Sequence, residues 1–358
     1  MWGVPGAVRE VVEALGLRLW GRVWGRPVYL VTEPLPLIGV IQFGVIDRGT
    51  NVLQVRPTTI CPLSCIFCSV DAGPRSRWRQ AEYIVEPEWL AGWVHKVAVE
   101  KGVHVEALID GVGDPFAYPW LPRLVKLLKE TGVVRSVAAE THGETLTKEL
   151  IGKLEEAGLD RVNLSIESLN PEKARKLAGT PWYDVRRVIE LAEYIARETS
   201  IDLHVTPVWL PGINDDDIVE IVKWAYRIGA GKKWPPVTIQ KYIRHRYGRH
   251  PPGVREIPWN KFWEKMKRLE EELGVRLTWS MDEWGMRYAP RVRHPIRAGQ
   301  RVKLVVAGPG WLRGEKLAVT MDRQRLVTIV AAKGLEPGDI VLARIIRDKD
   351  GIFIAKVV

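Results

Sequence analysis

The chain has 358 residues, of which 46% are hydrophobic and 27% are charged, a composition typical of a globular protein with a sizeable core. Its 53 Lys and Arg against 43 Asp and Glu give a net charge of +10. This balance excludes an acidic, self-solvating disordered chain and is compatible with a phosphate-rich partner. No apolar run approaches the roughly 18 residues that a membrane span needs, so we expect no membrane association.

Cysteine usage and the N-terminal sequence indicate the compartment. Residues 1–5 lack a basic lead into an apolar stretch, so we expect no signal peptide. Three Cys cannot all pair as disulfides, and the cytoplasm is therefore the expected location. Asn and Gln together number only 11 while Glu, Lys and Arg are abundant, which favours a thermophilic source.

Residues 1–50 are predicted to form an N-terminal extension with little regular structure. A helical pattern covers residues 8–15. Apolar segments follow, and Pro34, Pro36 and Gly39 argue against long regular elements there.

From residue 51 onward, strand and helix patterns alternate. The predicted strands cover residues 52–55, 104–109, 134–139, 161–166, 202–208 and 237–240. The predicted helices cover residues 121–129, 148–157, 185–197, 216–228 and 259–273. Such alternation predicts an α/β fold with βαβ units and a parallel sheet. Six units are too few for a closed eight-fold barrel, and the pattern alone leaves both an open partial barrel and a doubly wound sheet possible.

The C-terminal stretch is predicted to be a small β-barrel. Five short strands separated by glycines are expected at residues 302–306, 316–320, 326–330, 340–345 and 353–357. Helical periodicity stops near His294 and Pro295, so we place this domain at 296–358. Residues 297–358 hold twelve Lys and Arg against six Asp and Glu. A basic small barrel is a common nucleic-acid-binding device, although a merely solubilising surface has the same composition.

All three cysteines lie in one short loop after a predicted strand. Cys61, Cys65 and Cys68 follow the spacing C-x-x-x-C-x-x-C. Three thiolates without a fourth ligand suit an iron–sulfur cluster with one open iron. Zinc is an alternative, but zinc sites usually close with four ligands, and three unligated thiols would be a third possibility.

This loop, with Phe67 before the last cysteine, resembles the signature of the radical S-adenosylmethionine (SAM) superfamily. The resemblance implies a partial (β/α)6 TIM-like barrel over 51–292 and a 4Fe–4S cluster bound by the three cysteines. It further implies that SAM chelates the open iron, with Phe67 against its adenine. Reduction then cleaves SAM to a 5′-deoxyadenosyl radical that abstracts hydrogen, so an electron donor such as ferredoxin or flavodoxin is an expected partner.

Later motifs support the resemblance in chain order. Gly111-Val112-Gly113-Asp114-Pro115 is similar to the family's Gly-x-Gly-Glu-Pro element, which binds the SAM amino group, with Asp in place of Glu. The turn at Thr141-His142-Gly143 resembles the family's Thr-Asn-Gly turn, with His142 in place of Asn. The stretch 163–168 resembles the fourth-strand element, in which Ser165 and Glu167 would face SAM. The stretch 210–215 resembles the loop after the fifth strand, but as a motif it is equally a turn before a helix.

Two basic stretches indicate an RNA partner. The C-terminal barrel resembles a TRAM domain, an OB-like RNA-binding barrel, in its glycine and turn placement at 299–302, 308–314 and 335–341. Residues 241–250 interleave Lys and Arg with Tyr and His, which suits either a phosphate-tracking arm or a solvated loop.

The cysteine count narrows the reaction. Methylthiotransferases and cysteine-dependent methyltransferases of the radical SAM type need additional cysteines that this chain lacks. We therefore predict a one-cluster enzyme that modifies RNA, with tRNA as the expected substrate. The alternatives are a radical SAM enzyme acting on a protein or small molecule, and a non-enzymatic RNA-binding protein with a structural metal.

Overall fold

The computed structural model describes residues 6–358, so the interpretation of residues 1–5 lies outside the described part of the chain. The fold divides into two compact units. The first joins the chain up to Ile60 with Arg77–Arg135 and Tyr288–Val358, and the second joins Cys61–Ser76 with Ser136–Arg287. The predicted boundaries 1–50, 51–292 and 296–358 stay predictions. None of the helices formed by residues 6–358 has the length and apolar content needed to cross a bilayer.

The first unit contains three helices, six sheet strands and a barrel. Its helices are α1 (Gly6–Ala14), α2 (Pro87–Lys101) and α3 (Leu121–Glu130). Its sheet strands are β1 (Leu17–Val23), β2 (Arg26–Val31), β3 (Gly44–Asp47), β4 (Val52–Arg56), β5 (Glu82–Val85) and β6 (Val105–Ile109). Strand β2 pairs antiparallel with β1 and parallel with β5, while β4 pairs antiparallel with β3 and parallel with β6.

The N-terminal region is more regular than the sequence predicts. Strands β1 and β2 form a hairpin around Trp24 and Gly25, which both have positive φ, at 49° and 77°. A two-residue hairpin of type I′ needs positive φ at both central positions, and Asn, Asp or Gly usually supply it. Trp24 takes the place of such a residue, so the usual sequence signal for this turn is absent.

Helix α2 is a second element that the pattern did not reveal. It begins with Pro87 at its first turn and ends at Gly102, which has a left-handed conformation. These residues are typical helix boundaries. The interior, however, contains Gly92 and β-branched Val94 and Val97, whose helix propensity is low. The helix is stabilised by burial of its apolar residues rather than by propensity.

The predicted C-terminal barrel is confirmed as a closed five-stranded barrel. Its strands are β12 (Arg301–Pro309), β13 (Lys316–Thr320), β14 (Leu326–Ile329), β15 (Ile340–Arg347) and β16 (Ile354–Val357), in the order β12-β13-β14-β16-β15. Inward-facing residues such as Leu304, Ala343, Ile345 and Phe353 form its core. Because side chains alternate along a strand, the residues between them face outward.

Arg79 joins three parts of the first unit. Its buried guanidinium donates to the carbonyl oxygens of Thr59, at 2.6 Å, and of Val112, and it forms a salt bridge with Glu82. The same guanidinium lies 4.9 Å from the ring centre of Trp311, in the loop after β12. One side chain thus contacts the strand end before the cysteine loop, the glycine loop and the barrel.

The second unit is an α/β structure, which confirms the α/β part of the predicted fold class, and the partial (β/α)6 barrel stays a prediction. Its strands are β7 (Val134–Thr141), β8 (Arg161–Leu164), β9 (Asp202–Val205), β10 (Val208–Trp209) and β11 (Gln240–Lys241). Its helices are α4 (Lys148–Glu156), α5 (Pro171–Ala178), α6 (Val185–Glu198), α7 (Asp215–Arg227) and α8 (Trp259–Leu273). Strands β7, β8 and β9 run parallel, and β10 pairs parallel with β11.

Two predicted strands differ from the structure. The strand expected at 202–208 is interrupted between β9 and β10, where Pro207 has no N–H to donate. The strand expected at 237–240 is reduced to β11, with Val237 forming only an isolated bridge to Val205. Pro235 and Pro236 precede Val237 and limit its pairing for the same reason.

Candidate functional site

The cysteine loop opens the second unit and follows β4 in the chain. Cys61 and Cys65 are buried and Cys68 is partly buried. The N–H of Ala72 donates to the Cys68 sulfur at 3.2 Å, and the N–H of Cys68 donates to the Cys65 carbonyl at 3.1 Å. Gly73 has a φ of 89°, and a Cβ there would collide with the Leu63 carbonyl. The loop can therefore close on itself only with glycine at this position.

Helix α5 holds the other side of the cysteine loop. The N–H groups of Ser64 and Ile66 donate to the carbonyl oxygens of Ala178 and Leu177, at 3.0 and 2.9 Å. Gly179, which ends α5 with a φ of 58°, has no room for a Cβ against the Ser64 carbonyl. The last carbonyls of α5, which have no partner within the helix, thus bind the loop backbone.

Arg249 also contacts the cysteine loop, in addition to the hydrogen bonds within the loop and those to α5. Its guanidinium donates to the Cys65 carbonyl at 3.0 Å and to the Ala72 carbonyl, and its Nε lies 2.9 Å from Asp71 Oδ1. Its own N–H donates to the Cys68 carbonyl at 2.8 Å. The sequence offered Arg249 as part of a phosphate-tracking arm, and the structure places it instead on the cysteine loop.

His142 and Glu167 lie beside Cys65. The His142 Nε2 is 3.9 Å from the Cys65 sulfur, and its Nδ1 is 3.7 Å from Glu167 Oε2. The hydroxyl of Tyr183 donates to the His142 carbonyl at 2.9 Å, and Thr141 Oγ1 accepts the Gly143 N–H. Within residues 6–358, Oε1 of Glu167 is buried without a hydrogen-bond partner.

Burial dominates the electrostatics of these groups. It raises the pKa of the Cys65 thiol well above its usual value, and the nearby Cys61, Glu167 and Cys68 raise it further, while Arg249 opposes them. Burial also raises the pKa of Glu167, against the opposing effect of His142.

Three further predicted residues occupy the same unit. Phe67 is buried in the cysteine loop. Ser165 follows the end of β8, and its hydroxyl lies 3.2 Å from the hydroxyl of Thr206. The side chain of Asn214 donates to the Glu167 carbonyl at 3.1 Å and accepts the Leu210 N–H at 2.7 Å. The stretch 210–215 therefore fixes the backbone at Glu167, and the Asn214 side chain does not cap α7.

The glycine loop belongs to the first unit. A Cβ on Gly113 would collide with the backbone of Thr59 and Ile60, and one on Gly111 would lie 3.2 Å from the Thr58 carbonyl. Buried Asp114 donates its N–H to the Ile60 carbonyl at 2.9 Å. Its Oδ1 accepts the Phe116 N–H at 2.9 Å and so caps the short 3-10 turn that begins at Pro115.

The second unit brings part of the predicted site together. Cys65 interacts electrostatically with Cys61, Cys68 and Glu167, and His142 lies between Cys65 and Glu167. His142 was visible in the sequence only as a replacement for Asn. Arg249 was visible only as one member of a basic run.

The donor chemistry fits an iron–sulfur cluster. Three thiols share one loop, an N–H donates to one sulfur, and a guanidinium lies close by. In the part of the chain that the structure describes, no group of three or more His, Cys, Asp or Glu is arranged to hold a metal ion. We expect Cys61, Cys65 and Cys68 to hold the cluster, and this ligand set stays a prediction.

Comparison with known proteins identifies the family. A sequence model described as the radical SAM superfamily matches residues 55–225. An uncharacterized protein of Methanocaldococcus jannaschii is 32% identical over 374 residues, covering 99% of this chain and 86% of that protein. The chain belongs to the radical SAM superfamily. As a radical SAM enzyme it uses the family's 4Fe–4S cluster and SAM, and the non-enzymatic alternative is wrong.

Other radical SAM proteins match over shorter stretches. A GTP 3′,8-cyclase of Aquifex aeolicus is 29% identical over 189 residues, covering 51% of this chain and 55% of the cyclase. The chain thus spans about half the length of that relative. The FeFe-hydrogenase maturase HydG from Carboxydothermus hydrogenoformans has a TM-score of 0.49 at 15% identity, covering 78% of this chain and 58% of HydG.

A 4Fe–4S cluster and SAM held by this chain would supply one-electron radical chemistry. The residues of the chain have a different task. Arg249, α5 and Gly73 fix the backbone that carries the thiols, and the buried surroundings of Cys65 exclude water from it.

Proposed function

We propose that this radical SAM enzyme modifies RNA, with tRNA as the substrate, and that the C-terminal barrel carries the RNA contacts. The reaction begins with hydrogen abstraction by the 5′-deoxyadenosyl radical. A low-potential donor such as ferredoxin or flavodoxin supplies the electron. We expect the enzyme to be cytoplasmic, where tRNA and such electron donors are found.

A row of cations across the barrel surface supports this proposal most directly. Arg301 of β12 pairs in register with Arg344 of β15, and Arg344 pairs with Lys356 of β16. All three side chains are exposed. Like charges directly opposite one another destabilise an antiparallel pair. A row of three such cations has no benefit for folding, but it presents a line of positive charge that a phosphate backbone can neutralise.

The residues beside this row suit contact with nucleotides. Lys303 adds a fourth exposed cation and pairs in register with Leu342. Leu342, Ile340 and Ile346 are exposed apolar side chains on β15. A basic strip bordered by apolar side chains is typical of small barrels that bind single-stranded RNA, and the TRAM-like glycine pattern agrees with it.

A second candidate substrate is a small nucleotide. The matching GTP 3′,8-cyclases are named for a reaction of GTP, and the one from Aquifex aeolicus matches 51% of this chain. This candidate gives no role to the cation row, which suits a polyanion such as RNA. We therefore favour RNA.

The cluster ligands can be tested by SAM cleavage. Cys65→Ala in the anaerobically reconstituted protein should form no 5′-deoxyadenosine on reduction, because one iron loses its thiolate. The measurement is chromatography of the reaction products beside the wild type. Continued cleavage would contradict the assignment of Cys65.

The RNA substrate can be tested in cells and in solution. Nucleosides of tRNA from cells with and without the gene, compared by mass spectrometry, should differ by one modified nucleoside. In the purified enzyme, Arg301→Gln, Arg344→Gln and Lys356→Gln together should weaken tRNA binding and lower the salt dependence of log Kd by about 2 to 3. SAM cleavage should remain.

A matched variant controls for net charge. Arg313→Gln, Arg323→Gln and Lys333→Gln remove three exposed barrel cations outside β12, β15 and β16. This control should bind tRNA nearly as the wild type does. Equal losses in the two variants would mean that net charge, not the row, determines affinity. An unchanged nucleoside profile together with absent tRNA binding would contradict the proposed function.

A further inference from the structure

A second exposed surface, in the second unit, combines cations with aromatic side chains. It consists of the loop after β11 and one flank of α8, and we call it the α8 surface. Its members are Arg244, His245, Arg246, Tyr247, Trp259 and Trp263.

The two tryptophans form a stacked pair on α8. Their ring centres are 6.0 Å apart with an interplanar angle of 23°, yet Trp259 and Trp263 remain 52% and 46% exposed. The face of α8 that packs inward consists of Phe262, Met266 and Leu269. The indoles therefore lie beside the buried stripe of the helix and are not part of the core.

Side chains fix the basic loop against the start of α8. Lys241 forms a 2.7 Å salt bridge with Glu256, and its ammonium lies 4.9 Å from the ring centre of Trp259. The N–H of Arg244 donates to Glu256 at 3.0 Å. The guanidinium of Arg246 lies over the ring of Tyr247, at 5.2 Å. The cations and the indoles thus belong to one fixed surface.

The residues at the two ends of the basic stretch have different partners. Lys241 is bound by Glu256, and Arg249 by the cysteine loop. The residues 243–247 between them are all exposed. Two exposed indoles on one helix are unfavourable for a surface that stays in water, since each leaves a large apolar area uncovered. Unpaired bases stack on indoles, and guanidinium groups bind phosphates.

We propose that the α8 surface binds an unpaired segment of the RNA substrate, with a base on Trp263 and phosphates at Arg244 and Arg246. This inference rests on the proposed RNA substrate and adds a contact that is independent of the barrel. The loop that carries these cations continues into Gly248 and Arg249, whose backbone and side chain contact the cysteine loop. The residues 243–247 that would bind the nucleotides are therefore adjacent in sequence to the two residues that contact the cysteine loop.

The test measures binding of the full-length protein to two labelled probes, a twelve-nucleotide polyuridylate strand and an RNA duplex of equal length. Trp263→Ala should weaken binding of the single strand about tenfold, because one stacked base is lost. Binding of the duplex should not change, because its bases are already stacked. Arg244→Gln with Arg246→Gln should lower the salt dependence of log Kd for the single strand by about 1.4, or 0.7 per phosphate.

Matched variants separate these effects from misfolding. Trp182→Ala removes an indole that is 63% exposed in the same unit but outside the α8 surface, and it should leave both affinities unchanged. Trp263→Phe and the paired change of Arg244 and Arg246 to Lys should retain most of the binding. Thermal unfolding of every variant is measured beside the wild type.

The outcomes distinguish this inference from the proposed function. If the three-cation barrel variant loses tRNA while Trp263→Ala and the double Arg variant bind the single strand as the wild type does, the α8 surface is not an RNA contact and the proposed function stands. A loss for the duplex as large as for the single strand would also overturn the stacking role. If the wild type binds neither probe nor tRNA, both proposals fail.

Discussion

Gly113 shows how a single position shapes the candidate SAM site. Its Cα lies so close to the backbone of Thr59 and Ile60 that a Cβ has no space. These two residues immediately precede Cys61 in the chain. The requirement for glycine is therefore steric, and it acts on the strand end that leads into the cysteine loop.

Gly113→Ala should destabilise the protein by about 1 to 3 kcal/mol, because the glycine loop or the strand end must move to admit the methyl group. SAM binding should weaken with it. Gly152→Ala is the matched control, since a Cβ there meets nothing within 4 Å and alanine favours the α4 helix. Denaturant unfolding and calorimetric titration with SAM give the two readouts. Equal stability of the two variants would contradict the steric argument.

Some of the site residues could be predicted from the sequence alone, and others could not. The cysteine spacing and the glycine pair are local in the chain, so the sequence displays them directly. Arg249 lies 184 positions from Cys65, and only the fold brings the two together. The basic run that contains Arg249 resembles a surface arm, because the sequence does not distinguish a cation that contacts the cysteine loop from one that stays exposed.

At the scale of elements, the cysteine loop depends on partners from two distant segments. Helix α5 accepts hydrogen bonds from Ser64 and Ile66, and Arg249 donates to Cys65 and Ala72. The loop has no regular structure of its own. Its conformation is therefore set from outside, by a helix end and one side chain.

Arg249→Met should reduce iron and sulfide incorporation several-fold and destabilise the cysteine loop, because its guanidinium donates to Cys65 and Ala72 and pairs with the buried Asp71 carboxylate. Iron and sulfide per chain after anaerobic reconstitution are the measurement. Arg246→Met, an exposed neighbour, should load like the wild type. Full loading of the Arg249 variant would show that α5 alone suffices to hold the loop.

The elements that the sequence did not reveal have different physical reasons. Helix α2 depends on burial in the folded unit, which overrides weak local preference, whereas the turn at Trp24 is exposed and has a bulky residue at positive φ, which turn preferences do not predict. The five barrel strands were visible because short alternating segments between glycines are a local signal. Pairing order was not visible, since β14 and β16 pair in parallel across an intervening strand.

At the scale of the whole molecule, the barrel is part of the first unit and not an attachment to it. Gln80 donates to the carbonyls of Gly310 and Glu315, and the Tyr83 hydroxyl donates to the Pro309 carbonyl at 2.5 Å. The contact of Arg79 with Trp311 adds a cation–π interaction in a buried setting.

Trp311→Ala should loosen the glycine loop although it changes a residue of the barrel. Without the indole, Arg79 loses its packing partner, and its hydrogen bonds to Thr59 and Val112 become less constrained. Amide hydrogen exchange should become faster around residues 110–114. Met321→Ala, at an exposed barrel turn, should leave that exchange unchanged. Unaltered exchange in the Trp311 variant would mean that Arg79 needs no partner.

The position of Arg79 also bears on the order in which a newly made chain matures. On the ribosome, Thr59, Arg79 and Val112 emerge long before Trp311 does. Until then the guanidinium lacks the indole against which it packs. During synthesis, the packing around Arg79 is therefore incomplete until the barrel has been translated. We expect the cluster to be inserted after that point.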